Sequence, residues 1–189
     1  MPRQAPQIRD AVPEDAADLL ELWAATSRFG TGSSRALEDA ERALANLAAE
    51  PDERLLVAVS EDRIVASIKL TRGPMTPLMM EPAVHTSFLL VLPRLRRHGY
   101  GHALMEAALM WAEEKDISQV TAITDGNRET NRFFARLGLT TLGTVRHTSV
   151  ASLRKKLATE RAGVGGGNRH LVHVLAQRRS MRRRQESSS

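Results

Sequence analysis

Cysteine is absent from this chain of 189 residues, and its absence excludes several kinds of chemistry. Disulfide bonds, thiolate zinc sites, iron–sulfur clusters and a cysteine nucleophile all need that side chain. Long apolar runs are also missing, because no uninterrupted stretch approaches the roughly 18 residues of a membrane-spanning helix. The first residues, Met1 to Pro6, lack the apolar core of a secretory signal. We therefore expect a cytoplasmic protein without a membrane span and without a metal site.

Aromatic residues are scarce, at 4% of the chain, and Tyr100 is the only tyrosine. Any mechanism that needs a tyrosine therefore has one position to draw on. The remaining composition, 42% hydrophobic and 26% charged, is that of an ordinary globular protein. This length suits one domain with a short tail, and such a core needs no disulfide or metal to hold it together.

The positive charge of the chain is concentrated at its C-terminal end. The formal net charge is +5, and the segment from Ala158 to Ser189 holds seven arginines against two glutamates. The preceding body is therefore formally neutral. A basic isoelectric point alone would favour nucleic-acid binding, but here only the tail carries that electrostatic signal.

Hydrophobic periodicity predicts alternating strands and helices along the body. Two early strands form a hairpin and pair antiparallel, whereas a later strand, helix and strand imply parallel pairing. The sequence thus predicts an α/β fold with a mixed sheet flanked by helices. The predicted elements are a strand at 7–11, helices from Pro13 and over 37–48, strands at 55–59 and 64–70, a loop at 73–82, a strand at 84–92, a helix at 100–115, a strand at 119–124, a helix at 130–137, and strands at 140–145 and 150–157.

One stretch, from Leu89 to Leu104, places an apolar strand, a basic turn with two glycines and an amphipathic helix in succession. Gly99 and Gly101 would let the backbone approach a ligand closely, and the free N–H groups of the helix start would point at it. Arginines in the turn add positive charge. This combination is suited to binding a pyrophosphate. It is neither a P-loop nor a three-glycine dinucleotide motif.

The turn Arg96-Arg97-His98-Gly99-Tyr100-Gly101 resembles motif A of the GNAT superfamily of acyl-CoA-dependent N-acetyltransferases, whose signature is Arg/Gln-x-x-Gly-x-Gly/Ala. Asn127, Phe133-Phe134 and Leu137-Gly138-Leu139 extend the resemblance downstream. It covers about residues 7 to 157. We accordingly predict an N-acetyltransferase domain over 1–157, with a splayed sheet, and a Gly-rich linker and Arg-rich tail over 158–189.

The resemblance implies acetyl-CoA as acyl donor, bound between two separating strands. The backbone of Leu90, Val91 and Leu92 would bind the pantetheine arm, and the amides from Arg96 through Gly101 would bind the pyrophosphate. Asn127 falls where family members place a polar side chain near this arm, although an N-cap role explains it equally well. Phe134 stands beside the same cofactor, where family enzymes often carry a tyrosine that protonates the departing thiolate.

A base must also take a proton from the amine acceptor, and His85 is the first candidate because it lies on the strand leading into the motif. Its alternative is a histidine held by local hydrogen bonds. Glu81, acting through water, is the second candidate. The acceptor, a primary amine of a small molecule or protein, would be held by the segments at 29–34 and 73–82 and near Arg146.

The tail supports a rival hypothesis of a different class. Arg169 to Gln185 could form a basic helix that binds nucleic acid, another anionic partner, or a second copy of the chain in a homodimer. The chain could then be a catalytically weak acyl-CoA sensor rather than an enzyme. The alternative for the tail is a solvated terminus.

Overall fold

The computed structural model describes residues 6–26 and 36–160. Among these residues, no helix is long and apolar enough to span a membrane. Short 3₁₀ turns cover Pro13–Asp15 and Pro93–Leu95. The strands and helices are β1 (Gln7–Asp10), α1 (Ala16–Thr26), α2 (Ala36–Ala49), β2 (Glu53–Ser60), β3 (Arg63–Thr76), β4 (Met79–Val91), α3 (Tyr100–Glu113), β5 (Gln119–Ala122) and α4 (Arg128–Arg136).

Five strands form one sheet in the order in which they occur along the chain. The pairs from β1 to β4 are antiparallel, and β4 pairs with β5 in parallel. The parallel pair needs a crossover, which α3 provides. The predicted mixed sheet flanked by helices is confirmed.

The sheet buries apolar side chains on both faces. One cluster joins Ile68, Leu70 and Val84 to Leu104 and Trp111 of α3. The other packs α1 and α2 onto the opposite face, where Leu90 and Leu92 at the end of β4 also make contact. The C-terminal end of β4 is therefore fixed by helices on either side.

A salt bridge fixes the start of α1 relative to the sheet. Arg9 in β1 donates two hydrogen bonds to the carboxylate of Asp15, at 2.6 and 2.8 Å, and the amide of Val12 donates to it at 2.8 Å. The hydrogen bonds from Arg9, more than the opposing effect of burial, hold the pKa of the Asp15 carboxyl below its usual range. The ion pair is therefore a folded-state interaction that needs an ionised carboxylate.

The loop predicted over 73–82 is wrong, because this segment forms the end of a hairpin. β3 continues to Thr76 and β4 begins at Met79, with Pro74 opposite Pro82. Pairing with β2 ends at Thr71, and pairing with β5 begins only at Ala83. Both strands are thus edges in this arm, where a missing proline N–H is tolerated.

The strands predicted at 140–145 and 150–157 are also wrong. Residues 139–149 have no regular secondary structure, and 150–160 are helical. Ser149 starts that helix, since its hydroxyl accepts a hydrogen bond from the amide of Ser152 at 3.1 Å. Exposed Val150, Leu153 and Leu157 follow a helical period, which the strand interpretation overlooked.

The chain divides into two compact units, with the boundary between Leu142 and Gly143. The first unit holds all five strands of the sheet. The predicted domain boundary after Leu157 stays a prediction. The tail beyond residue 160 and the segment predicted to bind an acceptor at 29–34 lie outside the described residues.

Candidate active site

The strands β4 and β5 separate partway along their length. Their pairing runs from Ala83 with Gln119 to Thr86 with Ala122, and a last hydrogen bond joins the amide of Ile123 to the carbonyl of Thr86 at 2.8 Å. β4 continues to Val91, and no described strand pairs with this side of 87–91. We call this open stretch of β4 the fork edge. A strand edge of this kind can form strand-like hydrogen bonds with an extended ligand.

A β-bulge at Phe88 interrupts β4 where the fork edge begins. Lys69 is opposite Ser87 and Ser67 is opposite Leu90, so Ile68 alone faces two residues of β4. Phe88 has a φ of 51°, in the left-handed region that an aromatic residue rarely adopts. Such a conformation costs on the order of 1–3 kcal/mol and tends to occur at functional sites.

The bulge decides which residues of β4 face the fork. The amide of Leu92 donates to the carbonyl of Val65 in β3 at 2.9 Å. Backbone groups alternate between the two sides of a strand, so the amide of Val91 points to the fork side. The same alternation directs Leu89 to the fork side and Leu90 to β3. Sequence reasoning named Leu90, Val91 and Leu92 but missed Leu89, because an unbroken apolar run gives no sign of a bulge.

The ring of Phe88 stacks on Trp23 in the last turn of α1, with ring centroids 4.9 Å apart and an angle of 28° between planes. An aromatic pair of this kind contributes about 0.5–1.5 kcal/mol beyond the area that it buries. The stabilisation is of the same order as the backbone cost at Phe88. Trp23 and Phe88 are the second feature of this site that sequence reasoning missed.

The turn after β4 presents unpaired amides. Gly99 has a φ of 93° and Arg97 a φ of 63°, so the chain turns sharply before α3. The first hydrogen bond of α3 runs from the amide of Ala103 to the carbonyl of Gly99, at 2.9 Å. The amides of Tyr100 and Gly101 therefore precede the helical ladder, where the positive end of the helix dipole attracts anions. The Nδ1 atom of His98 is 2.7 Å from the carbonyl oxygen of Arg96 and tightens the turn.

The turn, the fork edge and α4 meet at Gly101. A Cβ atom built on Gly101 would be 3.5 Å from Cζ of Phe133 and 3.9 Å from Cγ2 of Val91. Arg96 donates to the carboxylate of Glu129 in the first turn of α4 at 3.1 Å. Larger side chains at Gly101 would press on Phe133, so glycine keeps these elements close together.

Asn127 is the N-cap of α4. Its Oδ1 accepts a hydrogen bond from the amide of Thr130 at 2.8 Å, and its Nδ2 donates to Asp125. The N-cap role, one of the two alternatives from the sequence, is present in the structure. Contact with a cofactor remains a prediction.

Phe134 is 5% exposed and packs edge to face against Phe133, with centroids 5.2 Å apart. A buried phenyl ring has no proton to give. Tyr100 starts α3 in the turn, where its side chain packs against the apolar cluster on that face of the sheet. The single tyrosine therefore packs against the core cluster, and Phe134 has no hydroxyl to take its place as an acid.

His85 lies within the paired part of β4, just before the fork. Its Nδ1 is 2.8 Å from Oγ1 of Thr121 in β5, and its Nε2 is 3.3 Å from the carbonyl oxygen of Pro74. Because a carbonyl only accepts, Nε2 carries the proton in the neutral ring and Nδ1 accepts from the threonine hydroxyl. The local hydrogen bonds that the sequence left as an alternative are present, and they orient the imidazole.

Glu81 lies in the arm and is not brought together with the other site residues. Its carboxylate is exposed and accepts a hydrogen bond from the hydroxyl of Ser118 at 3.1 Å. Thr86 lies five positions further along the strand, which corresponds to about 16 Å along β4. His85 is nearer to the fork.

Residues 17–139 match the sequence profile of the acetyltransferase (GNAT) family. The matched range includes α1, the fork edge, the turn and α4. The chain belongs to the GNAT family of acetyltransferases. No curated protein gives a significant match to the chain.

Three solved structures illustrate how the fold is shared. A transcriptional regulator from Bacillus halodurans aligns with a TM-score of 0.63 and 18% identity over 76% of this chain and 99% of that chain. A glucosamine-6-phosphate N-acetyltransferase from Arabidopsis thaliana aligns with a TM-score of 0.65 and 17% identity, over 78% of this chain and 99% of that chain. An aminoglycoside N-acetyltransferase in complex with CoA aligns with a TM-score of 0.64 and 14% identity, over 79% of this chain and 97% of that chain. At these identities the likeness shows the fold alone.

Proposed function

We propose that this protein transfers an acetyl group from acetyl-CoA to a primary amine of a small molecule or protein. The observation that carries the proposal is the fork edge of β4 leading directly into a turn of unpaired amides. Membership of the GNAT family supports it, as does the solved CoA complex of a protein with a similar fold.

The residues fit the donor substrate in two places. Leu89 and Val91 offer backbone groups on the fork side, which suits the two amides of a pantetheine arm. Of the amides predicted from Arg96 through Gly101, those from Arg97 onward suit a pyrophosphate. The amide of Arg96 already donates to the carbonyl of Pro93 at 3.4 Å, and its guanidinium pairs with Glu129. Leu90, Leu92 and Phe134 support these groups through packing.

The reaction needs one proton transfer before the bond is made. The acceptor ammonium loses a proton to become a free amine, whose nitrogen attacks the acetyl carbonyl carbon. The new C–N bond forms, the C–S bond breaks with its electron pair going to sulfur, and the nitrogen loses a second proton. The products are an N-acetylated amine and CoA. Fork-side N–H groups are suited to stabilising the negative charge that develops on the carbonyl oxygen.

His85 is our candidate for the base, acting through Thr121. Both of its ring nitrogens already have partners, so a proton would reach Nδ1 through the threonine hydroxyl and water. The hydroxyl passes on one proton as it receives another, and the imidazole becomes a cation. We assign no proton transfer to Glu81, because its carboxylate lies in the exposed arm.

Phe134 cannot protonate the departing thiolate. The CoA thiol has a pKa not far above the cysteine value of about 8.5, so its thiolate is a good leaving group and can take a proton from water. We therefore expect transfer to proceed without a tyrosine acid.

Calorimetric titration with acetyl-CoA, followed by measurement of CoA release with a panel of amines, amino acids and peptides, tests the proposal. Saturable binding together with acceptor-dependent CoA release supports the transferase. Absence of acetyl-CoA binding contradicts it.

The second candidate function is an acyl-CoA sensor that acts through its basic C-terminal end. Phe134 in the usual tyrosine position and the fold shared with a transcriptional regulator favour it. Arg154, Lys155 and Lys156 add positive charge to the described helix over 150–160. Acetyl-CoA binding without CoA release from any acceptor, together with salt-dependent binding of DNA, would favour the sensor.

A further inference from the structure

We propose that Trp23 is a positioning residue, which holds the bulge at Phe88 and thereby sets which backbone groups of β4 face the fork. This inference rests on the proposed function, because the groups in question are those assigned to the donor substrate. It concerns a contact between α1 and β4 that lies outside the phosphate-binding turn.

The bulge determines the register of the strand that follows it. With the extra residue in place, Leu89 and Val91 face the fork and the amide of Leu92 bonds to Val65. Without it, alternation from Thr86 would send Phe88 and Leu90 to the fork instead. A slip of one residue reverses every backbone group and side chain that follows. The fork edge would then present a different set of amides at the same place.

Phe88 is an unusual residue for this conformation. Glycine adopts a positive φ without steric cost, whereas phenylalanine at 51° needs a compensating contact. The stack on Trp23 is such a contact, at 4.9 Å between centroids. We infer that the ring of Phe88 stabilises the bulge through this stack, which a glycine at the same position would lack.

α1 is anchored in the core and can serve as the support. Leu19 and Leu22 on the same helix are buried in the core, at 5% and 1% exposure. Leu90, just after the bulge, packs against the same cluster. The helix therefore contacts β4 at the bulge through Trp23 and beyond it through the core.

The first test needs no ligand. Amide hydrogen exchange by NMR, on the full chain, compares the wild type with Trp23→Ala, Trp23→Phe and the double variant Trp23→Ala/Phe88→Gly. We expect the exchange of the Leu92 amide to accelerate by about tenfold or more in Trp23→Ala, because its bond to Val65 depends on the bulge. Trp23→Phe should retain the protection. The double variant should regain it, because glycine keeps a positive φ without a stack.

The second test adds acetyl-CoA or CoA as probes, since the two differ only in the thioester. In the wild type we expect amide shift differences between the two complexes at Leu89 and Val91. Trp23→Ala should lose these differences while keeping the shifts at Gly99 and Gly101, and kcat should fall by about 10- to 100-fold with the KM for acetyl-CoA changed less than about threefold. Leu20→Ala, which truncates another half-buried side chain on α1, is the matched control. It should neither remove the shift differences at Leu89 and Val91 nor lower kcat.

Three outcomes separate the possibilities. If Trp23 only contributes packing, Phe88→Gly will weaken the Trp23→Ala protein further and restore neither protection nor turnover, which overturns the inference. Unchanged Leu92 exchange in Trp23→Ala also overturns it. A wild type that binds neither probe contradicts the proposed function, but leaves the exchange test of Trp23 valid by itself.

Discussion

The two ends of β4 differ in what surrounds them. At the start of the strand, residues 79–82 pair only with β3 in an exposed arm, where Leu78 and Met80 are 95% and 86% exposed. At its end, residues 87–91 are held by α1 on one face and α3 on the other. Both ends lack a β5 partner, but their edges are chemically different. Prolines interrupt the edges of the arm, whereas every residue from Ser87 to Val91 keeps its N–H.

The two edges thus differ both in the packing around them and in the hydrogen-bond donors that they offer. Pro74 and Pro82 remove donors from the arm, which also protects it from pairing with other chains. The fork edge keeps its donors and continues into the turn at Gly99. The four predictions below are in order of decreasing expected effect, and the first and last of them test this contrast directly.

Gly99→Val should have the largest effect. A β-branched residue at a φ of 93° is strained and obstructs the approach of a phosphate to the turn. We expect acetyl-CoA binding to weaken by at least about 100-fold, as measured by calorimetry.

The matched control is Gly138→Val, at a φ of 84° after α4 and with nothing within 4 Å of its added Cβ. It carries the same backbone strain outside the turn. Equal loss of affinity in both variants would mean that strain, and not the turn, explains the effect.

His85→Gln should lower kcat by about 100-fold, because the ring nitrogen that would accept the proton from Thr121 is lost. The assay uses the amine that the acceptor panel identifies. Thr121→Val should give the same phenotype, whereas Thr121→Ser keeps the hydroxyl and should not. A kcat of His85→Gln close to that of the wild type would remove His85 from the reaction.

Asp15→Asn should lower the free energy of unfolding by about 2 kcal/mol at pH 7, because Arg9 loses a charged partner. The lowered pKa of Asp15 means that its contribution is present above the unfolded value near 3.9 and is lost as the pH falls through the folded value. Urea unfolding should therefore show the two proteins converging below about pH 4.

The control for this variant is Glu14→Gln, an exposed acid in the same turn. It should leave stability nearly unchanged. A difference between wild type and Asp15→Asn that persists at low pH would contradict a charge-dependent bridge.

Leu78→Ser combined with Met80→Ser should have the smallest effect. Both side chains are exposed, so unfolding should change by less than about 0.5 kcal/mol and acetyl-CoA affinity should not change. Loss of affinity comparable to that of Gly99→Val would show that the arm belongs to the binding site.

The sequence predicted much of this fold because its local signals agreed with the tertiary structure. The turn at Gly99 and Gly101, the order of elements from β1 to α4 apart from the arm, and the parallel pair follow from glycine placement and periodicity. The arm was missed because proline was taken to exclude a strand, although edges tolerate it. The helix after Ser149 was missed because short apolar patterns fit either period.

Other features could not be read from the sequence in principle. The bulge at Phe88 lies in a continuous apolar run, where no alternation marks an extra residue. Its contact with Trp23 joins residues that are distant in the chain. The partners of His85 are likewise set by strand register, which composition does not reveal. Cytoplasmic location, homodimer formation and the role of the tail stay predictions.

The most direct measurement of the central claim is hydrogen exchange of the full chain with and without acetyl-CoA, followed by mass spectrometry. We predict that acetyl-CoA slows exchange in peptides covering residues 87–101, which contain the fork edge and the turn. Peptides covering the arm, 72–82, should exchange at the same rate in both conditions. Unchanged exchange across 87–101 at a saturating concentration, or protection confined to the arm, would contradict the account.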